Sequence, residues 1–278
     1  MVAFLGYSLS LFPLLWAWNR IMGNLGGFSR FRANARVYCL TNLTKRIPGA
    51  FWYVIGRVHY YRTAGVRAPL TLAGTALEHV LLATTGLVTY LLVQVFYRTH
   101  WSFRLGISLI VLPIALIILQ PPVFNRLVQF FLNRLGSAVR VKITYREILP
   151  LFPAFLLAWI FPGAGLYVLS RSLYTLPLAV LPDILAMWAI SGTLSMLAST
   201  FLMGSGVREV ALSFLLAMYM PQPIAVVVAI LFWFVITIGE VFWAGMFSLA
   251  CRRDRVGEVI PGEVEQPQPD GNTGIQGQ

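Results

Sequence analysis

Long apolar runs alternate with short basic segments along this chain, and the runs are apolar on every face. Segments 2–18, 70–97, 103–120, 148–169, 178–203 and 222–250 approach or exceed the length of about 20 residues that carries a helix across a bilayer. Strands of a membrane barrel would instead alternate apolar and polar positions over about ten residues. The pattern therefore predicts an all-α, polytopic integral membrane protein with six to seven transmembrane helices. Segment 2–18 ends at Trp16, Trp18 and Arg20, a composition suited to a membrane interface. No basic leader precedes it and no small-residue cleavage site follows, so it reads as a span and not as a signal peptide.

Four segments depart from that pattern. Residues 28–46 interleave arginines with Phe28, Phe31, Val37, Tyr38 and Leu40, which predicts a helix lying in the interface. A second interfacial helix is expected over 121–140, within a basic stretch that runs on to Glu147. Residues 47–60 are apolar but too short to span, and Pro48, Gly49 and Gly56 interrupt them. Residues 204–219 are similarly short, opening at glycines and stopping at Pro221-Gln222-Pro223. Both are expected to form re-entrant or broken helix. The helical domain covers 1–250, and the Pro/Gly/Gln-rich remainder, 251–278, reads as a disordered cytoplasmic tail.

Composition sharpens this reading. With 58% hydrophobic and 11% charged residues and a mean hydropathy of +0.75, a water-soluble fold is excluded, because soluble domains carry about 25% charged residues. The net charge of +11 would suggest nucleic acid on a soluble protein, but its placement argues otherwise. Nine basic residues, from Arg20 to Arg67, precede the first acid, Glu78, and five more fall between Arg126 and Arg146. Clusters of this kind mark cytoplasmic loops and attract anionic headgroups at about 1 kcal/mol per basic residue. The expected location is the cell membrane, with membrane lipids as partners, no nucleic acid, and a cytoplasmic C-terminus. The first helix then runs from outside to inside, so it inserts unaided or one further helix precedes it. Cys39 and Cys251 are too few and too far apart for a disulfide framework or a cysteine metal site.

Ionisable residues within the apolar segments carry the chemistry, since each costs at least ~2.5–3.5 kcal/mol at a helix centre unless paired or wet. Arg57 follows Gly56 in the first broken segment, and Arg208-Glu209 follows Gly204-Ser205-Gly206 in the second. Glu78, with His79 beside it, sits about nine residues into its span. These residue types predict a polar intramembrane cavity in which arginines meet an anionic headgroup and acids hold the arginines in place. Only five acids lie between 78 and 250, so the four charges Arg57, Glu78, Arg208 and Glu209 are expected to share one cavity. Asp183 and Glu240, near span ends, read as helix anchors, and His79 as a packed polar residue. No metal-ligand spacing, cofactor fingerprint, phosphate loop or nucleophile elbow is present, so neither metal, cofactor nor catalytic residue is expected.

Two strings then acquire a further meaning: Lys45-Arg46-Ile47-Pro48-Gly49-Ala50-Phe51-Trp52, continuing to Gly56-Arg57, and Gly204-Ser205-Gly206-Val207-Arg208-Glu209. With the intervening Glu78, they resemble the lysylphosphatidylglycerol synthase transmembrane family, the flippase-like region of the multiple peptide resistance factor and its stand-alone relatives. The likeness runs from about residue 1 to 250. Where relatives often open the late motif with Pro-Gly, this chain has Leu202-Met203, and the soluble aminoacyl-transfer domain of lipid lysylation is absent from it. The resemblance implies movement of an anionic or aminoacylated phospholipid, or a polyprenyl-phosphate-linked sugar, between leaflets. Arg57 and Arg208 would grip phosphate, Glu78 and Glu209 would neutralise them in the empty site, and Lys45, Arg46 and Trp52 would complete the substrate-binding set. Two other readings compete: a non-transporting scaffold for an envelope lipid or glycan synthesis enzyme, and a membrane transferase. A homodimer, or a synthase or glycosyltransferase partner, is compatible with each.

Overall fold

The computed structural model describes residues 1–46, 52–97, 113–114, 116–134, 139–201 and 206–250. Within these residues the chain is helical and no strand forms. The helices are α1 (Val2–Gly26), α2 (Phe31–Leu43), α3 (Trp52–Thr63), α4 (Ala68–Tyr97), α5 (Pro121–Arg134), the single turn α6 (Tyr145–Ile148), α7 (Leu151–Leu173), α8 (Leu181–Phe201), α9 (Val207–Leu216) and α10 (Gln222–Ala250). Five stretches among the described residues are long and apolar enough to cross a membrane: Val2–Gly26, Ala68–Phe96, Tyr145–Leu173, Leu178–Met196 and Gln222–Ala250. The protein is thus an all-α membrane protein. The expected span at 103–120 falls largely outside the described residues, as do 47–51, 202–205 and the tail from 251.

The spanning helices are held together by close backbone approach, as expected where lipid removes the hydrophobic incentive for helix association. A Cβ at Gly6 of α1 would stand 2.7 Å from the Phe161 carbonyl oxygen of α7, and one at Gly165 would stand 3.1 Å from the Ala3 Cα. Here glycine lets α1 and α7 pack backbone to backbone, and this is the most extensive helix pair in the bundle. Several threonines inside α4 satisfy their hydroxyls within the helix: Thr75 donates to the Thr71 carbonyl at 2.8 Å, Thr84 to Val80 at 2.7 Å and Thr89 to Thr85 at 2.8 Å, whereas the buried Thr71 hydroxyl has no partner among the described residues. A capping box starts α6, with the Thr144 N–H donating to Glu147 Oε2 at 2.7 Å.

The short helices sit differently. α2 buries seven of its thirteen residues, among them Asn34, Tyr38, Thr41 and Asn42, by packing against α1, α3 and α10. It is part of the bundle, with one polar face turned inward. α5 buries Phe124, Val128 and Leu132, spaced four apart, and turns Leu127, Phe130 and Phe131 outward. At 1.5 Å per residue, the twelve described residues of α3 and the ten of α9 extend about 18 and 15 Å, against a bilayer core of about 30 Å. α9 starts at Gly206, whose φ of 117° is open to glycine and strained for other residues.

Candidate functional site

Arg57 reaches the centre of the first half of the protein because α3 is clasped between α2 and α4. Its side chain is fully buried, and so is that of Glu78 on α4, at 0% and 1% exposure. The two form an ion pair through Arg57 Nη1 and Glu78 Oε2. Arg57 Nε donates to Thr41 Oγ1 at 3.3 Å, and Nη2 approaches Asn42 Oδ1 at 3.5 Å. Three rings cover the guanidinium: Trp18 at 4.1 Å from its Cζ, Tyr38 at 4.8 Å and Tyr53 at 5.6 Å. A desolvated cation against aromatic faces gains about 2 kcal/mol or more. The Glu78 carboxylate supplies the counter-charge that a buried guanidinium requires.

A second layer of hydrogen bonds fixes those rings. The Trp18 indole N–H donates to the Tyr61 hydroxyl at 2.8 Å, which donates to Asn34 Oδ1 at 2.6 Å. Asn34 Nδ2 in turn donates to Asn19 Oδ1 at 2.7 Å. On the far side, His79 Nδ1 lies 2.7 Å from the Thr75 carbonyl and Nε2 lies 2.7 Å from the Tyr53 hydroxyl. A carbonyl only accepts, so Nδ1 carries the proton and Nε2 accepts from Tyr53. Lys45 Nζ sits over the outer face of Tyr53 at 4.9 Å. Among the described residues no hydrogen bond reaches Glu78 Oε1.

Arg208 and Glu209 belong to a separate place. They line a narrow crevice between α8, α9 and α10, together with Trp188, Leu212, Phe232 and Trp233. The Arg208 Cζ lies 3.5 Å from the Trp188 ring centroid, and Trp188 meets Phe232 edge-on at 5.0 Å. Neither Arg57 nor Glu78 lines this crevice. Trp159 stands between the two regions: its N–H donates to Thr85 Oγ1 at 3.1 Å on α4, while its ring abuts Gly192, near the Arg208 Nη2. The four charges expected in one cavity are therefore divided into two pairs. The division arises because α4 presents Glu78 to α3 and, two turns further on, packs Thr85 against Trp159 of α7.

The remaining expected residues are placed as follows. Trp52 opens α3 and is exposed, and Arg46 ends a 3₁₀ turn over Thr44–Arg46. Asp183 accepts from the Tyr219 hydroxyl at 2.6 Å, joining α8 to the segment after α9. Glu240 faces α2, where burial pushes the Cys39 thiol up to about 12 and the Glu240 carboxylate adds to the effect. Trp18, Tyr38, Thr41, Asn42 and Tyr53 also belong to the site, although they were not among the residues expected there. The signal lay in α2: Asn34, Tyr38, Thr41 and Asn42 recur at positions i, i+4, i+7 and i+8, one polar face of a helix. No group of three or more His, Cys, Asp or Glu able to hold a metal occurs among the described residues. No family model matches the chain, and no curated protein sequence is significantly similar to it.

Proposed function

We propose that the protein is a flippase-like membrane protein that moves an anionic or aminoacylated phospholipid, or a polyprenyl-phosphate-linked lipid, between leaflets. The observation that carries this reading is a buried Arg57, midway along the twelve described residues of α3, held by Glu78 of the spanning helix α4. Intramembrane ion pairs of this kind mark substrate paths in transport proteins. In the resting arrangement Glu78 occupies the phosphate-binding edge of Arg57. An entering headgroup phosphate would take that edge, bidentately, because the guanidinium fork matches two phosphate oxygens. Arg208, backed by Trp188 and beside Glu209, supplies a second anion-binding position in the other half. The likeness of the two motifs to the lysylphosphatidylglycerol synthase transmembrane family supports the same reading.

The protein in this reading resides in the cell membrane with its basic loops and C-terminus cytoplasmic. Single cysteines placed at Arg36 and Arg140 should react with an impermeant maleimide from the same side in intact cells. Reaction from opposite sides would overturn the topology. The transport reading itself is tested by reconstituting the purified protein in liposomes and following movement of a fluorescent anionic phospholipid between leaflets. A scaffold role for an envelope synthesis enzyme is the second reading, favoured by the complete burial of Arg57. It predicts no lipid movement by the protein alone.

A further inference from the structure

A second basic feature lies away from both pairs, at the end of the bundle where α1 finishes and α4 begins. A cavity of about 510 Å3 is bounded there by Leu25, Gly26, Gly65, Val66, Arg67, Leu70, Val139 and Arg140. That volume falls within the ~300–1,000 Å3 of small-ligand sites. Its charged members, Arg67 and Arg140, are 73 positions apart in the chain, and among the described residues no carboxylate lines the space with them. Both side chains are exposed, and neither has a hydrogen bond or ion pair among the described residues. Two uncompensated guanidinium groups brought to one concave space repel each other, and an anion between them removes that repulsion.

The backbone favours the same ligand. Gly65, at φ 81°, turns the chain from α3 into α4, and a side chain at that position would point into open space, so the wall is bare main chain. The positive end of the 30-residue α4 opens beside Arg67 and adds its dipole to the two charges. Leu25 and Leu70 supply apolar wall, and they belong to α1 and α4, two of the helices long and apolar enough to cross a membrane.

We infer that this cavity binds the phosphodiester headgroup of an anionic membrane lipid, clamped between Arg67 and Arg140. The site goes beyond the transport reading and stands whether or not the lipid is moved. Its test is therefore a binding measurement in detergent, where no translocation takes place. The full chain in phosphate-free dodecyl maltoside is titrated calorimetrically with dihexanoyl-phosphatidylglycerol and, separately, with inorganic phosphate. Arg67→Gln and Arg140→Gln should each weaken the lipid by about tenfold or more, as loss of one charge-assisted clamp implies. Arg67→Lys and Arg140→Lys keep the charge and should lose less. Arg62→Gln, an exposed neighbour outside the cavity, controls for general attraction and should leave affinity within about twofold. Inorganic phosphate should bind more weakly than the lipid and be lost in the same variants. The inference is overturned if the lipid does not bind, if Arg62→Gln weakens it as much as the cavity variants do, or if inorganic phosphate binds as tightly as the lipid.

Discussion

Arg57 and Arg208 each follow closely on a glycine, Arg57 midway along α3 and Arg208 in the first turn of α9. Their surroundings then diverge. Arg57 is enclosed by α1, α2, α3 and α4, with an acid, a threonine and three rings assigned to it. Arg208 stacks on Trp188 at the edge of a crevice that it shares with Glu209. The difference follows from α2. In the first half a helix with an inward polar face is laid against α3, whereas among the described residues α9 in the second half packs chiefly against α8 and α10. One arginine is built into the core, and the other is left near an opening.

The sharpest way to break this contrast is to remove each acid. Glu78→Gln leaves a buried guanidinium without its counter-charge and should destabilise the protein by ~3–5 kcal/mol. Glu209→Gln, half-exposed at the crevice, should cost no more than ~1 kcal/mol. Unfolding in detergent, followed by circular dichroism, compares the two. Equal losses would mean that the two arginines are equally embedded.

The two tryptophans give a smaller difference. Trp18→Phe weakens the contact with Arg57 and removes the donor to Tyr61, and should cost about 1–2 kcal/mol. The indole N–H of Trp188 has no hydrogen-bond partner among the described residues, so Trp188→Phe forfeits no such bond and should cost less than about 1 kcal/mol. The same unfolding measurement decides, and a larger loss for Trp188 would reverse the ranking. Finest of all is Tyr53→Phe, which deletes only the hydroxyl donated to His79. About 1 kcal/mol is expected, with the His79 imidazole losing a hydrogen bond that nuclear magnetic resonance of its ring nitrogens would report.

Much of this arrangement was legible in the chain. Apolar runs located the long helices at 2–26, 68–97, 151–173, 181–201 and 222–250 to within a few residues at most ends, because hydrophobic length is what a bilayer selects. The first helix continues through Trp18 and Arg20 to Gly26, past the expected end at 18. Trp18 resembles an interfacial anchor by composition, yet it turns inward over Arg57, since an indole serves equally as a lipid-facing belt residue and as a cation's aromatic lid. Charges in apolar segments pointed to Arg57 and Glu78, which the structure pairs. The pattern could not distribute four charges between two sites, because that depends on how far along α4 its neighbour changes from α3 to α7. Nor does a basic amphipathic segment such as 28–46 declare whether its polar face meets water or another helix.

Lipid movement by the reconstituted protein tests the central claim most directly. Liposomes bearing the natural chain should exchange a fluorescent anionic phospholipid between leaflets, measured by dithionite quenching of the outer leaflet. Arg57→Ala combined with Arg208→Ala should abolish exchange, while Arg57→Lys, lacking the planar fork, should restore only part of it in a background with Arg208 intact. Exchange by the double variant at the original rate would contradict the account.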